Sequence, residues 1–156
     1  WKVADRPADL AGDEAKVEQL RDGSILMSIR NPKKGARRFS RSTDGGLTWS
    51  EPVLNADIIE PACNGDLIRY RHGGRDMLLQ SVPADSTERR NVTVFGSTDN
   101  GKSWQELYRV VPAPSWYSAL TVLPDGSVGC VTEEAASDGG CRLWYTRLTP
   151  EMLFGR

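Results

Sequence analysis

Ser42-Thr43-Asp44-Gly45-Gly46-Leu47-Thr48-Trp49 and Ser97-Thr98-Asp99-Asn100-Gly101-Lys102-Ser103-Trp104 are two copies of one pattern, S-T-D-x-G-x-[ST]-W. The pattern has a physical logic. An Asp followed by a small residue and Gly hydrogen-bonds its own turn backbone, Gly supplies positive φ, and the Trp ring covers the turn. Asp44 and Asp99 are therefore read as structural carboxylates, not catalytic ones. Each copy follows an extended segment, 36–41 or 91–96. Before each of those lies a hairpin: Val17 to Leu20 with Ser24 to Ile29, then Asp66 to Tyr70 with Asp76 to Gln80. A third hairpin joins Tyr117 to Leu123 with Ser127 to Thr132 through Pro124-Asp125-Gly126. The turn glycines Gly23, Gly74 and Gly126 recur about every fifty residues, a period of propeller blades. After the third hairpin, Cys141 to Thr146 is extended, but Arg147-Leu148-Thr149-Pro150 carries no copy of the motif. The chain thus reads as all-β, about three four-stranded antiparallel blades, the last one degenerate.

The bulk numbers constrain partners. The chain has 156 residues and a formal net charge of -1. That balance gives no reason to expect nucleic acid or an anionic membrane as partner. No run of 18 apolar residues marks a membrane span. The opening segment, Trp1 to Gly12, does not read as a signal peptide. Three cysteines and one histidine, without a CxxC pair, make a metal site improbable. Cys63, Cys130 and Cys141 read as ordinary buried thiols, with a Cys130–Cys141 disulfide across a hairpin as the alternative. His72, in a Gly-rich turn, reads as a surface residue. Lys33, Lys34, Arg37 and Arg38 read as a solvated loop and strand face.

The two repeats are Asp-boxes, or BNR repeats, and four ordered segments around them resemble the bacterial exo-sialidases. Glu14-Ala15-Lys16-Val17-Glu18-Gln19-Leu20-Arg21-Asp22-Gly23 resembles the strand in which a Glu leads to Leu-x-Asp-Gly. Met27-Ser28-Ile29-Arg30-Asn31 carries an Arg on the return strand. Arg89-Arg90-Asn91-Val92-Thr93-Val94 carries another just before the second box. Tyr117-Ser118-Ala119-Leu120 leads into Pro124-Asp125-Gly126-Ser127-Val128-Gly129. The resemblance implies that Tyr117 is the nucleophile and Glu14 its partner. It implies that Arg30 and Arg89 bind a substrate carboxylate, Arg89 being favoured over Arg90. Glu133 matches a Glu that supports the family's first arginine, and Pro61-Ala62-Cys63-Asn64-Gly65-Asp66 faintly resembles a pocket-lining turn. The family's opening Arg-Ile-Pro segment and its Asp acid/base have no match here, and Tyr108-Arg109-Val110-Val111-Pro112 reads as a fourth strand instead. A sialidase propeller has six blades. Residues 1–156 are accordingly expected to be the C-terminal half of such a propeller, incomplete and inactive alone, and paired with the missing N-terminal half or a second chain.

The residue types fit the implied chemistry. Sialic acid carries a carboxylate on its anomeric carbon, which would repel a carboxylate nucleophile. A neutral Tyr avoids that repulsion, and sialidases are an exception to the two-carboxylate rule. A phenol of pKa near 10 needs a base, which Glu14 would supply. The expected activity is retaining hydrolysis of terminal sialic acids from glycoconjugates, with no cofactor and no metal. The substrate's location implies a secreted, periplasmic or cell-surface protein. Two other functions fit the same sequence: a catalytically silent carbohydrate-binding propeller, and a trans-sialidase, for which Trp116 is the one nearby aromatic hint.

Overall fold

Residues 2–4 and 6–155 are described by the structure, a computed structural model. The first sheet contains β1 (Ala15–Gln19), β2 (Ile25–Ile29), β3 (Gly35–Ser42) and β4 (Val53–Glu60), paired antiparallel in sequence order. The second contains β5 (Asp66–His72), β6 (Arg75–Pro83), β7 (Arg90–Ser97), β8 (Gln105–Val122), β9 (Val128–Ala135) and β10 (Cys141–Leu148), in the order β10-β9-β8-β7-β6-β5. All pairings in it are antiparallel.

The expected three separate sheets are therefore two. The fourth strand of the second repeat and the first strand of the third are one 18-residue strand, β8. Its first part, to Pro114, pairs with β7, and its second, from Ser115, pairs with β9. The stretch between those two parts, Val111-Pro112-Ala113-Pro114-Ser115, has no Gly. Each Pro fixes φ in the extended range and forces its predecessor to be extended too. The chain bends there without reversing.

The six-stranded sheet curls back on itself. β5 and β8 are three places apart in strand order, yet the Leu120 N–H donates to the Asp66 carboxylate at 2.7 Å. The Tyr70 hydroxyl likewise donates to the Gly126 carbonyl at 2.9 Å. Tyr70, Leu79, Val94, Leu120, Val128, Cys130 and Leu148 fill the inside of that curl. A separate core of Leu20, Leu26, Phe39, Ile58, Leu67, Leu78, Val82, Phe95 and Trp104 joins the two sheets.

Both repeat turns are closed by their own Asp. Asp44 accepts from the N–H of Leu47 and Thr48 and from the Thr48 hydroxyl. Asp99 accepts from Lys102 and Ser103 in the same way. Hydrogen bonds from Thr48 hold the Asp44 carboxyl down at about 2. At Asp99 burial pushes upward, but the Ser103 and Ser97 bonds outweigh it and the value is again about 2. Trp49 returns its indole N–H to the Gly46 carbonyl. Trp104 is buried and stacks on Phe39 at 5.6 Å, so the second turn is bolted to the first sheet.

The third repeat ends in a short helix, α1 (Pro150–Phe154), which the strand-only reading missed. Thr149 caps it and Pro150 occupies its first turn. Thr followed by Pro is a helix-start signal, and it was legible at 149–150. The cysteines also differ from expectation. Cys63 and Cys130 are buried, but Cys141 is exposed, and all three are free. The β9–β10 register sets Cys130 opposite Thr146 and Cys141 opposite Ala135, so the alternative disulfide has no facing pair.

Candidate active site

The β1–β2 ladder extends one residue beyond the strands, because the Arg30 N–H donates to the Glu14 carbonyl at 2.9 Å. That makes Glu14 and Arg30 cross-strand neighbours. Their side chains meet: Arg30 Nη1 lies 2.6 Å from Glu14 Oε2. Asp13 adds a weaker contact to Arg30 Nε at 3.6 Å.

Tyr117 arrives from the other sheet, 103 residues away in sequence. The β8–β9 register shifts between Ser115 and Ser118, and Tyr117 sits in that irregularity. Such shifts re-aim a side chain and take its amide out of the ladder. The freed Tyr117 N–H is taken up by Glu133 Oε2 at 3.3 Å. The resemblance gave Glu133 the role of supporting the family's first arginine; here Glu133 accepts from the Tyr117 backbone. The next residue, Ser118, is held by a hydroxyl–hydroxyl bond to Ser81 at 2.8 Å.

The Tyr117 hydroxyl donates to Glu14 Oε1 at 2.5 Å. One carboxylate thus uses one oxygen for the phenol and the other for Arg30. Arg89, just before β7, donates from Nη2 to the Ala62 carbonyl at 3.0 Å and adds positive charge felt at Glu14. Arg90 turns away, 3.7 Å from Glu88 and substantially exposed. Glu14, Arg30 and Tyr117 are thus in direct contact, and Arg89 is near enough for its charge to be felt at Glu14.

The electrostatics follow from that gathering. Burial alone would raise the Glu14 pKa, but the bonds from Tyr117 and Arg30 and the charges of Arg30 and Arg89 bring it below the usual carboxylate value. The hydrogen bond to Glu14, with burial, raises the Tyr117 phenol above its ordinary value. The resting pair is therefore phenol and carboxylate, a loaded donor on an ionised acceptor. Among the described residues, no group of three or more His, Cys, Asp or Glu is gathered to hold a metal ion.

One reading of the sequence needs correction. Arg37, read as part of a solvated basic face, is fully buried. Its Nε donates to the Ser28 hydroxyl at 3.0 Å and its Nη1 to the Cys63 carbonyl at 2.9 Å. Lys33 and Lys34 are exposed as expected, and so is His72. Glu60, not singled out at all, is equally buried and faces Arg37 at 3.6 Å. Strand alternation held the missing signal: Arg37 shares a face with buried Phe39, and Glu60 with buried Ile58. Asp66 was also underrated. Its carboxylate links β5 to Leu120 on β8 and to Lys16 on β1, the latter at 3.6 Å.

A family model for the BNR repeat-like domain matches residues 9–130. The chain belongs to that family. Among similar proteins is a sialidase of Micromonospora viridifaciens, 33% identical over 128 residues, covering 78% of this chain and 20% of that protein. A sialidase of Bacteroides fragilis is 26% identical over 132 residues, covering 80% of this chain and 24% of that protein. Among solved structures, a Hadza microbial sialidase superimposes with a TM-score of 0.71 at 31% identity, covering 88% of this chain and 28% of that one. The intramolecular trans-sialidase of Ruminococcus gnavus, in complex with oseltamivir carboxylate, gives 0.76 at 26% identity, covering 96% and 35%. The chain spans about a fifth of the length of the first two relatives. No helix among the described residues is long and apolar enough to cross a membrane.

Proposed function

We propose that this chain is the C-terminal half of the catalytic propeller of an exo-α-sialidase, contributing about three of six blades. The observation that carries this is the Tyr117 hydroxyl donating at 2.5 Å to a Glu14 carboxylate whose other oxygen holds Arg30. A silent carbohydrate-binding module has no need of a phenol aimed at an ionised base. Sialylated glycoconjugates are the substrate class, with Arg30 and Arg89 gripping the anomeric carboxylate through charge-assisted hydrogen bonds. Such substrates place the protein outside the cell, at its surface or in the periplasm.

In the first step Tyr117 Oη bonds to the anomeric carbon as the glycosidic bond breaks, and its proton passes to Glu14. The departing oxygen takes a proton from a separate general acid. In the second step water bonds to the same carbon as the tyrosyl ether breaks, and the proton that water loses returns to that acid. The phenol recovers its proton from Glu14, and two inversions give retention.

The test uses the complete protein and a fluorogenic sialoside. Tyr117→Phe removes the nucleophilic oxygen and should lower kcat by at least about a hundredfold, the scale of losing a positioned reacting group. Wild-type turnover in that variant would sink the assignment. Likeness to a leech intramolecular trans-sialidase whose structure holds 2,7-anhydro-Neu5Ac favours a second reading, and NMR of the products separates free sialic acid from that anhydro sugar.

A further inference from the structure

Arg37 and Glu60 are a buried ion pair that no step of the proposed chemistry uses. Taking two charges out of water is costly, and apolar replacements are often as stable or more so. Stability is thus a weak reason for the pair, and its contacts supply a better one. Glu60 Oε1 accepts the Asn31 N–H at 3.0 Å, and Asn31 follows Arg30. Glu60 Oε2 accepts the Cys63 N–H at 2.7 Å, while Arg37 holds the Cys63 carbonyl. Cys63 follows Ala62, whose carbonyl anchors Arg89. Ala62 itself sits at a φ of 57°, a left-handed conformation that a non-glycine residue keeps only when its surroundings enforce it. One carboxylate therefore ties down the segment beside Arg30 and the segment beneath Arg89.

We propose that Arg37 and Glu60 are positioning residues that fix the spacing between the Arg30 and Arg89 guanidiniums, and so the fit of a substrate carboxylate between them. The proposal rests on the sialidase reading for its ligand, but not for its geometry. Glu60→Gln is the first variant. A Gln presents one acceptor and one NH2 to two backbone donors, so one of the two ties must fail. The double variant Arg37→Met with Glu60→Leu keeps the volume filled and removes both charges.

Three measurements on the complete protein test this. First, affinities of sialic acid and of its methyl ester are compared. The variants should lose about tenfold or more for the carboxylate, the size of one weakened charge-assisted bond, and much less for the ester. Second, KM for a sialoside should rise by a larger factor than kcat falls. Third, crystal structures should show the Arg89–Ala62 bond lost in the variants while the remote Arg69–Asp76 pair is unchanged. A folded variant that keeps the ratio of acid to ester affinity overturns the proposal. If the wild type neither binds nor cleaves sialosides, the sialidase reading fails, and the third measurement alone decides the positioning role. Unfolding of both variants also overturns it, by making the pair a determinant of the fold.

Discussion

At Glu14 burial and partnership pull in opposite directions, and partnership prevails. Its folded pKa lies below the ordinary 4.5, so the stability it contributes is complete above that value and is lost as pH falls through the lowered one. Tyr117 has the opposite sign. Its folded pKa lies above 10.0, so its contribution is complete below that value and is lost as pH rises through the raised one. The stability advantage of wild type over Glu14→Gln should therefore be flat through the neutral range, narrow on the acid side and narrow again in strong alkali. Denaturant midpoints across pH measure it, and an advantage that grew toward acid would contradict the pairing. Glu14, Arg30, Arg89 and Tyr117 were legible in the sequence because each sits in a recognisable local segment. Arg37 and Glu60 were not. A doublet of arginines beside a doublet of lysines looks like a solvated face, and only the strand's alternation, enforced by three-dimensional packing, turns one of them inward.

Among the elements, the two repeat turns look alike in sequence and differ in what they hold. Trp49 remains partly exposed beside its own turn, whereas Trp104 is 7% exposed and stacked on Phe39 of the other sheet. Trp104→Ala should cost about 3–5 kcal/mol, the range for emptying a buried aromatic site. Trp49→Ala should cost distinctly less. Equilibrium unfolding of the two variants decides it, and equal losses would refute the bolting role. Eight of the ten strands were placed by turn signals and repeat spacing, and β4 was only implied as the fourth strand of its repeat. The remaining one, β8, hid its length because two repeats share it and the prolines between them look like a break. Prolines end helices, but at a bend between two ladders they only hold the backbone extended.

For the whole molecule, the far end of the six-stranded sheet is unfinished. β10 is an edge strand whose Leu143, Trp144 and Tyr145 are all exposed, with Val131 opposite Tyr145 on β9. An apolar edge of that kind is a template for pairing with another chain. The 156-residue chain alone should therefore associate in solution, and Leu143→Lys with Tyr145→Lys should leave it monomeric. Size exclusion with light scattering checks both, and a monodisperse wild-type monomer would refute the expectation. The bond between Tyr117 and Glu14 has a kinetic meaning as well. It closes a loop of 103 residues, against 16 for the bond between Tyr117 and Glu133. Loop-closure entropy makes the longer one costlier by about 1.6 kcal/mol. Contacts so distant in sequence form late, after local hairpins have condensed. Recovery of the perturbed Tyr117 phenol during refolding would thus clock the docking of one sheet onto the other, which makes Tyr117 a reporter of completed assembly.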